Sequence, residues 1–309
     1  MELKNLKELM TYLKDDEVCR NYYAELRWGG NPTCPHCGKD KPYKMKCGRL
    51  YRCREKTCKK NFTVTVGTIF EKSKIPLSVW MGSIFVITAH KKGISSLQLS
   101  RDMDITQKTA WFILHRIRHI MGDPDPAPLD NIVEIDETYV GGKFANMNRG
   151  KRKFMQENSL DNKTAVMGLL ERDGRAKLTI IGSDTFKDVV RKNVKEDALL
   201  ITDTHLAYQG LALEFAGHAT VNHSQSQYRD GLAYTNTVEG FFSSLKRSIY
   251  GIYHSVSPKH LQRYCEETSC RYNGRKLTDK ERFLLTMKQA NGNRLTYNTL
   301  IQKAIKNEK

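Results

Sequence analysis

The chain has 309 residues, with 51 Lys+Arg against 34 Asp+Glu and a formal net charge of +17. Its length suggests about two domains, and 39% hydrophobic with 28% charged content allows packed cores and argues against wholesale disorder. The longest apolar run, Ile84-Phe-Val-Ile-Thr-Ala89, is far short of the ~20 residues of a membrane span. The first residues, Met1-Glu-Leu-Lys-Asn-Leu-Lys7, carry no apolar secretory core. The expectation is a cytoplasmic, multi-domain protein without a membrane anchor. The basic excess is clustered: residues 31–60 hold ten Lys/Arg and two acids, residues 240–309 fourteen and five. Two separate basic blocks point to a phosphate-rich polyanion, and hence to nucleic acid, as partner.

Residues 1–30 read as N-terminal helices, with Leu3, Leu6, Leu9, Met10 and Leu13 at helical spacing and Val18, Tyr22 and Leu26 four apart. Gly29-Gly-Asn-Pro32 breaks that pattern. A ribbon-like segment over 31–70 follows, ending in Phe62-Thr-Val-Thr-Val66, whose alternation predicts a short strand. Residues 75–121 read as helical. In them Ile94–Met103 forms a short helix capped by Ser95 or Ser96, Asp104-Ile-Thr106 a turn, and Gln107–Met121 a second helix capped by Thr106. That second helix buries Trp111, Leu114, Ile117 and Met121. It is expected to expose Gln107, Lys108, His115, Arg116, Arg118 and His119, the geometry of a DNA-binding helix-turn-helix. Gly122–Asp130 holds three prolines and three aspartates and reads as an extended linker.

After the linker the texture changes to α/β. Ile132–Val140, Ala165–Leu170, Ala176–Ile181 and Ala198–Thr202 are predicted strands. Asp173-Gly174 makes a hairpin turn in which Gly supplies positive φ. Helices are expected near Lys187–Val194, Thr237–Tyr250 and His260–Asn273. This is a mixed-sheet domain over 131–275, followed by a basic C-terminal tail over 276–309.

Cys34-Pro-His-Cys37, then 15 residues, then Cys53-Arg-Glu-Lys-Thr-Cys58 has zinc-ribbon layout. Two thiolate pairs on separate turns can close a tetrahedron around a structural Zn²⁺. The second pair is spaced more widely than usual, which keeps Cys47 and His36 open as alternative ligands.

Asp136 lies on the first strand of the α/β domain and Asp203 directly follows the fourth. Glu239 lies on the Thr237–Tyr250 helix, whose buried stripe is Val238, Phe242, Leu245 and Ile249; Glu239, Ser243 and Lys246 share another face. Three converging carboxylates in a basic protein repel one another unless divalent cations sit among them. An all-oxygen ligand set suits two Mg²⁺ or Mn²⁺ ions rather than zinc. Plainer roles exist. Asp203 can stabilise a turn, Asn236 and Glu239 can form a capping box, and Glu137 can replace Asp136 as ligand.

Several long stretches together resemble a DDE-type insertion-sequence transposase with an N-terminal zinc ribbon and an ISXO-type catalytic domain. They are Arg27–Gly38, Phe62–Phe70, Ala110–Arg118, Glu134-Ile-Asp-Glu-Thr-Tyr-Val-Gly-Gly142, Thr202-Asp203 with Tyr208, Thr235-Asn-Thr-Val-Glu-Gly-Phe-Phe-Ser-Ser-Leu-Lys-Arg247 and Tyr253–Tyr264. The resemblance implies an RNase H-like fold with Asp136 and Asp203 as the first two catalytic carboxylates. At the third position members of the family differ, some using the Asn and some the Glu of the Thr-Asn-Thr-hydrophobic-Glu motif; both are present here, so Glu239 is expected as the third carboxylate with Asn236 kept in the same site. Lys246 matches the family's phosphate-holding residue, with Arg247 beside it on DNA. Tyr234 stands where a His is common, and Phe242 where a Trp is. The implied partners are terminal inverted repeats, target DNA and further copies of the chain. A DNA-binding regulator derived from a transposase, or a nuclease that cuts without joining, are the alternatives.

Overall fold

The structure is a computed structural model that describes residues 5–122, 126–142, 144–157, 163–182, 184–221 and 234–301. Leu3 and linker residues 123–125 lie outside the described residues. The chain forms two compact units, Met1–Met121 with Leu277–Lys309, and Gly122–Lys276.

The first unit opens with α1 (Leu6–Tyr12) and α2 (Asp16–Trp28). Their first turns are capped by the side chains of Asn5 and Asp15, which accept the N–H groups of Glu8 and Glu17. Gly29, at φ 54°, ends α2 in the left-handed region. The ribbon is a three-stranded antiparallel sheet of β1 (Tyr43–Lys44), β2 (Tyr51–Arg52) and β3 (Asn61–Phe62). The strand expected over Phe62–Val66 therefore stops at Phe62. β2 offers only two residues to pair with, and the chain then turns, Val66 N–H donating to Thr63 O and Thr68 N–H to Thr65 O.

Helix α3 (Leu77–Ala89) is buried on nearly every side and is apolar all round, as a central helix must be. The helix-turn-helix pair follows as α4 (Ser96–Asp102) and α5 (Gln107–Met121). Ser95 caps α4 by accepting Gln98 N–H at 3.1 Å, and Thr106 Oγ1 accepts Thr109 N–H at 3.2 Å at the head of α5.

The exposed face expected for α5 is corrected. Lys108 and Gln107 are exposed, but His115, Arg116 and Arg118 are buried, the two arginines at 8% and 1% exposure. Arg116 donates to Ile69 O and lays its guanidinium over the Phe112 ring at 4.5 Å and near the Trp80 ring at 5.9 Å. Ring stacking and a carbonyl partner make burial of this cation tolerable. Neither arginine is available to DNA in this arrangement.

The second unit is built on a five-stranded sheet ordered β6-β5-β4-β7-β8. In chain order its elements are β4 (Ile132–Val140), α6 (Arg149–Glu157), β5 (Thr164–Glu171), β6 (Ala176–Ile180), α7 (Phe186–Asn193), β7 (Leu199–Asp203), β8 (Gly217–Val221), α8 (Asn236–Ser248) and α9 (Pro258–Asn273). β4, β5 and β6 form an antiparallel meander, while β7 and β8 add in parallel to β4. This is the RNase H-like arrangement. The β5–β6 turn puts its positive φ on Asp173 (58°) and not on Gly174, a conformation Asp tolerates.

Alternation along β4 divides the core in two. Val133 and Ile135 pack with Met167, Leu169, Val189 and Val190 on the α7 side. Val140 packs with Val166, Leu170, Val238, Phe242 and Leu245 on the α8 side. Leu129, expected in an extended linker, is buried in the first of these cores and bridges to Val194.

Residues 277–301, within the basic C-terminal tail expected over 276–309, include two helices. These are α10 (Asp279–Gln289) and α11 (Tyr297–Ile301), and they belong to the first unit. A Thr278/Glu281 capping box starts α10, and Phe283, buried at 1% exposure, meets Phe85 of α3 at 5.9 Å between ring centroids. Among the described residues no helix is long and apolar enough to cross a membrane.

Candidate functional site

The first unit gathers Cys34, Cys37, Cys53 and Cys58 so that their sulfurs all lie within 4.8 Å of one another. The first knuckle closes through Gly38, at φ 71°, whose N–H donates to Cys34 O at 2.8 Å. The second is a turn in which Cys58 and Lys59 N–H both donate to Glu55 O, so its longer spacing still brings Cys58 home. Two cross-pairs, Cys34–Cys58 at 3.9 Å and Cys37–Cys53 at 3.5 Å, bracket the edge of about 3.8 Å that four Zn–S bonds of ~2.3 Å define. The donor set therefore fits a structural zinc. Cys47 is exposed and outside the cluster, and His36 packs edge-on against Phe62 at 6.3 Å, so neither joins it.

The second unit collects the acidic residues. β4 and β7 pair in parallel with Ile132 opposite Leu199 and Glu134 opposite Ile201. Carried two residues further, that register sets Asp136 level with Asp203. Asp136 lies on the face of β4 that α8 covers, the face it shares with Glu134. Glu239 sits in the first turn of α8. Burial pushes the Asp136 carboxyl from 3.8 up to about 6, and the negative charges of Glu137, Asp203 and Glu239 push the same way. The N–H of Glu137, donated at 2.8 Å, only partly offsets this. The carboxylates are thus within electrostatic reach of one another. Their oxygens are not drawn to ligand spacing: among the described residues only the four cysteines are. The oxygen-only donor set suits Mg²⁺ or Mn²⁺.

Close approach of α8 depends on Gly168. It pairs with Asp136 across the sheet, and a Cβ there would lie 2.7 Å from two Phe242 ring carbons and 2.8 Å from a Val238 methyl. Gly168→Ala should force α8 outward and lower stability by about 1–3 kcal/mol. A chemical denaturation series on the purified variant checks this, and a wild-type midpoint would refute the packing role.

The plainer roles are resolved in part. Asp203 Oδ1 accepts His205 N–H at 2.9 Å, so the residue does stabilise a turn. The capping box expected of Asn236 and Glu239 is not formed, because α8 begins one residue earlier, with Thr235 at the N-cap making no side-chain cap bond. The free N–H groups of Thr237 and Val238 instead donate to Glu134 of β4, each at 3.1 Å. Glu137 points to the other face, where its Oε2 accepts the Tyr208 hydroxyl at 2.7 Å. Asn236 and Glu239 are exposed, Lys246 is half-buried seven residues on, and Arg247 is exposed. Val238, Phe242, Leu245 and Ile249 form the buried stripe as expected. Glu134 and Gly168 were not singled out from sequence. The available signal was a second acidic residue two positions before Asp136 on the same strand face.

Because the Asp136 carboxyl titrates higher in the folded than in the unfolded chain, ionising it opposes folding. In the metal-free protein its contribution is most favourable below about pH 4 and is lost as pH rises through about 6. At roughly 1.4 kcal/mol per pH unit the loss is about 3 kcal/mol. Denaturation of metal-free wild type and Asp136→Asn at pH 4.5 and 7.5 should show wild type losing ground to the variant at the higher pH. Parallel pH curves would contradict the assignment.

A family model described as an ISXO2-like transposase domain matches residues 128–273, and one described as a transposase zinc-ribbon domain matches residues 14–61. The chain therefore carries a transposase zinc ribbon followed by an ISXO2-like transposase domain. An uncharacterized protein in transposable element ISH50 of Halobacterium salinarum is 26% identical over 259 residues, spanning 79% of this chain and 86% of that protein. An uncharacterized transposase-like protein of Haemophilus influenzae is 27% identical over 93 residues, spanning 30% of this chain and 74% of that one. The zinc ribbon of this transposase accounts for the four-cysteine cluster, and its transposase domain coincides with the sheet that carries Asp136 and Asp203. These two matches support a transposase.

Proposed function

We propose that this transposase cuts phosphodiester bonds at the ends of its own element and joins the freed 3′-hydroxyls to target DNA. The supporting observation is the arrangement of Asp136, Asp203 and Glu239 on β4, β7 and α8, with Asp136 destabilised by its acidic neighbours. These three side chains would hold a pair of Mg²⁺ or Mn²⁺ ions, with Asn236 beside them at the start of α8. When bound, such ions supply Lewis acidity and lower the pKa of a water or hydroxyl nucleophile. The carboxylates would hold those ions beside the reacting phosphate, and a sheet-borne Asp136 would keep that geometry fixed between the cutting and joining steps. Lys246, on the same helix face as Glu239, and the exposed Arg247 hold the DNA backbone near the scissile bond. The zinc ribbon and the exposed Lys108 at the head of α5 hold the terminal inverted repeats through phosphate contacts. Two element ends must be processed together, which calls for a homo-oligomer.

An end-labelled duplex carrying the element terminus, incubated with Mg²⁺ and a supercoiled target, tests this reading. The expected products are a nicked end and a joined species, both dependent on the divalent ion. Nicking without joining would make the enzyme a nuclease, and binding without nicking would make it a regulator.

A further inference from the structure

Glu134 is buried at 0% exposure in the middle of β4. A carboxylate so placed is costly unless every oxygen is partnered, and here four donors converge on it. Arg172 Nε donates at 2.8 Å and the Thr237 hydroxyl at 3.1 Å to Oε1, while the N–H groups of Thr237 and Val238 donate at 3.1 Å each to Oε2. Arg172 in turn donates to Tyr234 O at 3.1 Å and lays its guanidinium over the Tyr234 ring at 3.6 Å. The orphan amides at the start of α8, which Thr235 does not cap with its side chain, are thereby satisfied from the sheet.

The placement of this lock matters more than its strength. Glu134 stands two residues before Asp136 on the same strand face, about 7 Å along β4. The amides it grips lie within the same helical turn as Asn236 and Glu239. Gly168, opposite Asp136, leaves room for α8 there, since a Cβ at that position would lie 2.7 Å from the Phe242 ring and 2.8 Å from a Val238 methyl.

We infer that Glu134, braced by Arg172, is a positioning residue that fixes the first turn of α8 to β4 and so sets Glu239 against Asp136 for cation binding. This rests on the reading of Asp136, Asp203 and Glu239 as the divalent-ion site. Glu134 touches neither ion nor DNA, and acts only through the helix.

The test is Mn²⁺ binding to the full-length, zinc-loaded protein, followed by calorimetry and by the loss of the free-ion paramagnetic resonance signal. Glu134→Asp keeps the charge but shortens the reach by about one bond, so it cannot span Arg172 and both amides. A misplacement near 1 Å costs on the order of a hundredfold in a positioned reaction. The expected result is Mn²⁺ affinity lowered about tenfold and end cleavage about a hundredfold, with element-end DNA affinity unchanged. Glu239→Gln alone should weaken Mn²⁺ binding, and adding Glu134→Asp to it should weaken binding no further, because both act on one ligand. Should the Asp variant not fold, Glu134→Gln keeps the length, breaks the Arg172 pairing and enters the same cycle. Wild-type affinity in the folded Glu134 variant, or additive losses in the double variant, would overturn the inference while leaving the metal site intact. Absence of any wild-type Mn²⁺ binding that Asp136→Asn removes would bring down the site assignment and the inference together.

Discussion

Asp136→Asn should lower divalent-dependent cleavage of an element-end duplex by about a thousandfold or more while leaving DNA affinity unchanged. The size follows from the chemistry assigned to the site: loss of one metal-holding carboxylate forfeits several kcal/mol of transition-state stabilisation, and each ~1.4 kcal/mol is tenfold. The specificity follows from the fold. Asn has the same shape, can still accept the Glu137 N–H that Asp136 receives at 2.8 Å, and leaves β4 paired to both neighbours. The metal-free variant should in fact be more stable than wild type at neutral pH, since it removes a charge that burial and three nearby carboxylates disfavour. Gel-shift titration and a cleavage time course on the same preparation measure both halves. Residual cleavage within tenfold of wild type would mean that another residue occupies the first catalytic position.

The second large effect concerns the ribbon. Its core is Cys34, Tyr51, Cys53 and Phe62, flanked by Trp28, Cys58 and Val66, on strands of two residues each. So small a core cannot fold by burial alone, whereas a structural zinc contributes about 10–16 kcal/mol in isolated fingers. Cys34→Ser or Cys53→Ser should therefore unfold the ribbon, not merely loosen it. Trp28, whose ring meets Tyr51 at 5.1 Å and Phe62 at 6.4 Å, provides the readout through its emission. Metal analysis should give about one zinc in wild type and none in either variant, with element-end affinity falling and the second unit still melting cooperatively. A variant that keeps its zinc and its Trp28 emission would remove the cysteine from the ligand set.

Much of this was legible in the sequence because local rules decided it. The cysteine spacing picked out, from eight cysteines, the four that cluster, and Ile132–Val140 was readable as the strand that carries Asp136. The Val238–Ile249 stripe separated the buried and open faces of α8. Charge was the poorest guide. Arg116 and Arg118 were placed outward because they are cations, but a guanidinium can stack its flat face on rings such as Phe112 and Trp80 and reach a main-chain carbonyl. The basic composition of residues 276–309 likewise obscured the Phe283/Met287 stripe that packs α10 into the first unit. β8 went unseen because an edge strand reading Gly-His-Ala-Thr-Val buries only Val221 completely. The lock at Glu134 depends on residues about 40 and 100 positions away, which no local pattern could connect.

The central claim is that side chains from β4, β7 and α8 together hold divalent cations. Anomalous scattering from Mn²⁺ in crystals of the enzyme bound to an element-end duplex tests it most directly. The account predicts manganese peaks coordinated by Asp136, Asp203 and Glu239 beside the scissile phosphate; peaks that leave these three carboxylates uncoordinated would contradict it.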